Sequence, residues 1–487
     1  MIKKSAFIIA ALILSISTIL SACSNEPANE SKSSAAEKEE ISDGIVTLKV
    51  WFRLGNYYKT LFEEFQQRFE SENPHIKLEI NHVPPDQYTA AMQAAMSANE
   101  LPDLFLNGTI PTQQMVELGM VRELDELFPP EKKDAFMPGI WTEGQSMLNG
   151  KIYGVPTRDQ RPHVGLVLFN VEMIEKAGYT EEELSSQLSW DKFVEVVKKT
   201  KEANQLEVGV TVSGRTDYGW FHDPILNQMS TAIDPEISNH FNYLTGEWQY
   251  NNTGLVESMQ FFKKLDDDKL MPSNWLLMTN PEVRQLFIDG EAAFTIQLAE
   301  SATLLDQHSG LTALPTKDGK PSYVPYNGAI DTQWMVSKKS EHFEEIKLFL
   351  NAVMDYGYTE GLQSGLVRSP IIALNESIQS DNPLFNKLTA LLNDSYMVVP
   401  DPVSSNANAI DVQTEYNNKA PTLTHFDVLY GYLSGQLSSV QAELDKVDAE
   451  FDKIWNDSIQ SVKASGKNVS KDDFIFPDWK PFENYGN

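Results

Sequence analysis

Val46-Thr-Leu-Lys-Val-Trp-Phe52, followed by Arg53-Leu-Gly-Asn-Tyr-Tyr58 and then by Ile76-Lys-Leu-Glu-Ile-Asn-His-Val83, is the stretch on which the fold turns. Val46 to Val50 alternates apolar and polar residues, the period of a half-buried strand, and ends in a loop. Thr60 to Ser71 carries Leu61, Phe62, Phe65 and Phe69 on one helical stripe, and Asn73-Pro74 stops it. Ile76 to Val83 alternates again and predicts a second strand. Gln87 to Asn99 is Ala- and Met-rich and predicts a helix. Leu101-Pro-Asp-Leu-Phe-Leu106 is a short apolar strand stopped by the turn Asn107-Gly108-Thr109. Strand, helix, strand, helix, strand is the order of a sheet covered by helices on both faces, so the fold class is α/β.

The pattern returns downstream. Gly165 to Phe169 is apolar, Val171 to Ala177 is helical up to Gly178, and Ser189 is placed to cap a helix from Trp190 to Glu202. A helix at Glu282 to Asp289, a strand at Ala292 to Ile296, a long helix at Phe343 to Met354 and a helical tail from Ser438 to Ser465 follow. No repeat of solenoid length is present.

Composition narrows the function. The chain has 487 residues, 41% hydrophobic, with a formal net charge of −30. That charge argues against nucleic acid, which needs a basic footprint, and against docking on anionic lipid. Cys23 is the one cysteine, so no disulfide framework or thiolate metal site exists beyond it. Lys3 and Lys4, an apolar run from Ala6 to Leu20 and Leu20-Ser-Ala-Cys23 make a secretory signal with a small-residue cut site. Leu20-Ser-Ala-Cys23 resembles the lipobox of bacterial lipoproteins. That resemblance implies a diacylglyceryl group on Cys23, an acylated (palmitate-type) anchor, and a location on the extracellular face of a Gram-positive-like cell membrane. Two acyl chains suffice for stable anchoring. Residues 1–23 are then the signal peptide, and 24–43, rich in Ser, Glu, Ala and Lys, a flexible tether.

Leu48-Lys-Val-Trp51, Ala98-Asn-Glu-Leu-Pro-Asp-Leu104, Asn149-Gly-Lys-Ile-Tyr-Gly-Val-Pro156, Leu188-Ser-Trp-Asp191, Phe287-Ile-Asp-Gly-Glu-Ala-Ala-Phe294 and Trp334-Met-Val-Ser-Lys-Lys339 follow one another along the chain. In this order they resemble segments of the extracellular solute-binding proteins, family 1, of carbohydrate ABC importers. The resemblance implies a periplasmic-binding-protein-like fold: two α/β lobes joined by a hinge, with the ligand in the crevice between them. It implies an N-terminal lobe of 44–157 plus 295–340 and a C-terminal lobe of 158–294 plus 341–487. It also implies a sugar or oligosaccharide ligand, separate ABC permease subunits and a monomeric chain. A sensing or adhesive lipoprotein on the same fold, or a carbohydrate-active enzyme, stays open as an alternative.

A sugar offers flat C–H faces to aromatic rings and hydroxyls to amide, carboxylate and guanidinium groups. Candidates are therefore such residues in loops after strands. Trp51, Arg53, Asn56 and Tyr57 follow the first strand, and Asn107 and Thr109 follow the apolar one. Arg158, Asp159 and Arg161 lie where the chain should cross between lobes, and could instead brace the hinge. Trp220 and His222 sit in the aperiodic run Gly214 to Asp223. Gln297, Trp275, Tyr326, Asp331, Trp334 and Arg368 complete the set, with Trp51 and Trp334 equally readable as core. Of eight arginines, Arg53, Arg158, Arg161, Arg215 and Arg368 fall in these loops, which suits a uronic sugar; arginine also bonds neutral ones, so both stay open.

Neither a Gly-x-Ser-x-Gly elbow nor a phosphate-binding loop occurs, so an ATPase must be another chain. The eight histidines are scattered, and neither a cofactor nor a metal is expected. Asp266-Asp-Asp268 lacks the glycine of a calcium loop, Met271 standing at its sixth position, and reads as a solvated helix end.

Overall fold

The computed structural model describes residues 44–53, 57–108, 110–159, 163–214, 219–299, 309–326, 332–419, 421 and 423–486. The stretch expected to be signal peptide and tether, residues 1–43 with Cys23, lies outside the described residues.

The opening stretch folds as its periodicity demands. Val46–Phe52 pairs in parallel with Ile76–His82 on one side and with Leu104–Leu106 on the other. Gln333–Val336 then runs antiparallel beside Leu104–Leu106, and Val155–Pro156 pairs antiparallel with it at the sheet edge. The helix Tyr57–Glu72 covers this five-stranded sheet with the predicted stripe. Phe62 stacks on Phe52 with centroids 4.3 Å apart, and Phe65 and Phe69 continue the row. Truncating one such buried ring costs about 3–5 kcal/mol, so this row fixes the helix to the sheet.

A second, four-stranded sheet has the order Ser309–Ala313, Gly165–Asn170, Ala292–Leu298, Val208–Thr211. Gly165–Asn170 is antiparallel to both neighbours, and Ala292–Leu298 is parallel to Val208–Thr211. Trp190–Asn204 packs on it through Phe193, Val194, Val196 and Val197, and the Ser189 hydroxyl caps that helix by accepting from the Lys192 amide at 3.2 Å. The tail helix Val440–Ala464 joins this second core through Leu444, Val447 and Phe451, and a smaller aromatic core through Trp455.

Sheet membership departs from the expected lobe boundaries. Ala292–Leu298 and Ser309–Ala313 belong to the second sheet, so the stretch from 295 onward does not return to the first until Gln333–Val336. Phe343–Ala352 and Tyr358 pack on the first core, not the second. The reason is Phe349, whose ring meets Phe65, Phe69 and Trp334 edge-on at 5.3–5.6 Å. A π-turn, Val353–Gly357, follows that helix. Among the described residues no helix is long and apolar enough to cross a membrane.

Candidate functional site

The carboxyl ends of Val46–Phe52 and Leu104–Leu106, the start of Gln333–Val336 and the end of Val155–Pro156 form one edge of the first sheet. Two passages of the chain are joined there: the Thr157 amide donates to the Thr332 carbonyl at 3.2 Å, and the two threonine hydroxyls are hydrogen-bonded. The Asp159 amide donates to the Arg368 carbonyl at 2.9 Å, tying in a further passage. Crevices at the carboxyl ends of strands, where connections cross, are the usual ligand sites of open α/β sheets.

Several candidates are committed to holding this edge together. Asn107 is buried, and its Oδ1 accepts from the Gln333 amide at 3.0 Å, while Gln333 Nε2 donates to Thr112 Oγ1 at 3.1 Å. Asp159 and Arg368 form an ion pair at 3.1 Å with side chains only 3% and 7% exposed. Arg368 also donates to Asn393 Oδ1 at 2.9 Å.

The aromatic candidates divide. Trp334 packs against the stacked pair Phe52 and Phe62, with centroids 6.2 and 5.8 Å away, and is 3% exposed, so it is core. Trp275 is equally buried, its indole N–H donating to Asp266 Oδ1 at 3.1 Å, and Tyr326 is buried in the first core. Each sits next to a strand or helix end, where the residue types of a binding loop and of a core coincide. Trp51, by contrast, is half-buried and edge-on to Tyr88 at 6.5 Å. Burial pushes the Tyr88 hydroxyl well above its ordinary value, and its backbone hydrogen bond at Leu106 and then the Arg53 guanidinium offset only part of this. Arg158 donates to the Tyr58 hydroxyl at 3.0 Å beside an apolar cleft of about 90 Å³ lined by Phe52, Tyr58, Phe62, Thr157, Trp334 and Tyr358.

On the second sheet, Gln297 is fully buried; its Nε2 donates to Thr295 Oγ1 at 2.9 Å, and its Oε1 has no partner among the described residues. Gln228 anchors the same edge by accepting from the Gly165 amide at 2.7 Å. Asn56, Thr109, Arg161, Arg215 and Asp331, and the side chains of Tyr57, Trp220 and His222, lie outside the described residues.

One group escaped the sequence reading. Asp223, His240 and His425 converge, with both Nε2 atoms on Asp223 Oδ1 at 2.7 and 3.0 Å. Burial alone would lift the Asp223 carboxyl, and the two imidazoles overcome it and hold the group well below the usual carboxylate range. Burial pushes His425 down. The only sequence signal was Asp223 itself, at the end of the aperiodic run; its partners stand 17 and 202 residues away.

With two α/β sheets, crossing connections and a strand-end edge in hand, the class is that of two-lobed binding proteins. Residues 54–359 match the model of the family described as bacterial extracellular solute-binding protein, more than half of the chain, and the chain belongs to that family. The maltose-bound MalE3 of T. maritima superposes with a TM-score of 0.61 at 17% identity, covering 84% of this chain and 99% of that one. The sugar-binding protein MalE of Xanthomonas citri gives 0.57 at 15% identity, covering 87% and 100%. These likenesses show the fold: two α/β lobes joined by a hinge, periplasmic-binding-protein-like. A Brucella abortus (strain 2308) protein that carries a general binding-protein name is 26% identical over 264 residues, 52% of this chain. The match spans 59% of that relative's length.

Proposed function

We propose that this chain captures a carbohydrate, an oligosaccharide, in the crevice between its lobes and delivers it to a separate ABC permease. We propose further that Cys23 carries the lipid that holds it, as a monomer, at the outer face of the cell membrane. The carrying observation is the strand-end edge at Thr157 and Thr332, where chain passages meet beside half-buried Trp51, Arg53 and Arg158. Family membership supports a solute-binding role, and the likeness to the maltose-bound MalE3 and the sugar-binding MalE supports the carbohydrate class.

In this reading Trp51 stacks on a sugar face, while Arg53, Arg158 and Gln297 bond its hydroxyls or carboxylate. Asn56, Tyr57, Thr109, Trp220, His222 and Asp331 are the further contacts proposed from sequence. The lobes meet at the 157–159 and 332 passages, with the second crossing between 313 and 333. Ligand closes the lobes only to the extent that it binds the closed form better than the open one.

A thermal-shift screen of residues 44–487 against neutral and uronic oligosaccharides tests this. A ligand that binds only the folded chain must raise Tm. A shift with the sugar recovered intact supports capture; a shortened sugar points to catalysis, and no shift with any sugar overturns the carbohydrate assignment. Which class shifts Tm decides whether the arginines face a carboxylate. Replacing Cys23 with Ser should release the protein from the membrane fraction; continued retention would overturn the lipid anchor.

A further inference from the structure

We propose that Asp223, His240 and His425 form a binding site for a divalent transition metal of the zinc type. This is independent of the carbohydrate reading. The three ligand atoms, one from each residue, all lie within 4.8 Å of one another. Tetrahedral zinc at bond lengths of about 2.0–2.1 Å sets its ligand atoms slightly more than 3 Å apart, so small ring rotations suffice. Neutral imidazole nitrogens with one carboxylate are the donors of zinc, cobalt and nickel; calcium and magnesium take oxygen.

Three separate elements deliver these groups. Asp223 lies on Gly219–Ser230, one turn ahead of Asn227. His240 occupies a two-residue turn between Ile237–Ser238 and Phe241–Asn242, where Asn239 and His240 have φ of +49° and +62°. Glycine is the unstrained choice at such a position, so the histidine is held there at a cost. His425 opens the helix His425–Leu433, fixed by the reciprocal cap of Thr424 and Asp427. Aromatic walls hold both rings: Tyr250 stacks on His240 at 4.6 Å and lies 5.1 Å from His425, with Phe426 behind.

Access and affinity also follow. The imidazoles are 4% and 8% exposed and the carboxylate 35%, so an ion enters from the Asp223 side and keeps a position open there for water or a solute. The outer shell is incomplete, because His425 Nδ1 is buried with no partner among the described residues. Ligating histidines usually donate that proton to an acceptor, so a micromolar site is expected and not a picomolar one.

The test uses the purified full chain, stripped with a chelator and titrated with zinc by calorimetry, with cobalt as a visible-absorption reporter. One zinc per chain and a cobalt spectrum of low coordination number are expected. His240→Gln and His425→Gln should each weaken zinc by about 100-fold. Asp223→Asn keeps the shape and an oxygen acceptor, so it decides the matter if a histidine variant fails to fold; it too should lose affinity. No zinc binding at millimolar concentration, or unchanged affinity in folded variants, overturns the site.

Discussion

The two sheet regions meet their polar obligations differently. Around the first sheet the buried polar groups are largely spent on one another: Asn107 on Gln333, Gln333 on Thr112, Asp159 on Arg368, Tyr88 on the Leu106 carbonyl. Gln333 Oε1 and Tyr356 Oη are exceptions, with no partner among the described residues. Around the second sheet and its tail helix, Gln297 Oε1, His425 Nδ1 and Asp452 Oδ1 are all buried without one. Such atoms each cost about 1–3 kcal/mol and are uncommon in native proteins. The first region is therefore built mostly as a brace, and the second holds more of the unmet polarity that a ligand, an ion or water can satisfy.

The strongest test of the brace is its ion pair. Arg368→Ala leaves Asp159 charged in a buried site and should destabilise the chain by about 3–5 kcal/mol, read by urea unfolding. A loss below about 1 kcal/mol would mean the pair is open to water and the contrast fails. Asn107→Ala removes the acceptor for the Gln333 amide and should cost about 1–3 kcal/mol by the same measurement. Trp51→Ala sharpens the comparison from the binding side. It should weaken an identified sugar about tenfold with little change in Tm, because the ring is only half-buried. Unchanged affinity in the folded variant would return Trp51 to the core.

What the sequence disclosed, and what it hid, follows the same division. Local signals sufficed for the elements: the stripe Leu61, Phe62, Phe65 and Phe69 became Tyr57–Glu72, and the Ser189 cap stands where it was read. Asp266 and Asp268 likewise serve a helix end, accepting from Trp275 and pairing with Lys198 and Lys264. Long-range pairing was not legible. Nothing in Ser309–Ala313 says that it joins Gly165–Asn170, and nothing in Phe343–Ala352 says that Phe349 will pack on Phe65. Trp275 and Trp334 show the same limit. An aromatic residue beside a strand end has one composition and two possible environments, and only the rings across from it decide.

The smallest effect expected is a gain. Asp452, on Val440–Ala464, has its carboxyl pushed up to about 6, first by burial and then by the like charges of Asp448 and Glu247. Its folded value is raised, so ionising it penalises the folded state. That penalty is absent below the unfolded value near 4, grows between there and 6, and is complete above. Asp452→Asn should therefore stabilise the chain at pH 7–8 by about 1 kcal/mol, because a group partly open to water loses much of the full effect to screening. The advantage should close by about pH 4, where the native carboxyl is neutral as well. Thermal melts of both proteins across that range check it. A variant less stable at every pH would show that Asp452 accepts a bond worth more than its charge costs. The tail helix would then belong with the braced region and not with the open one.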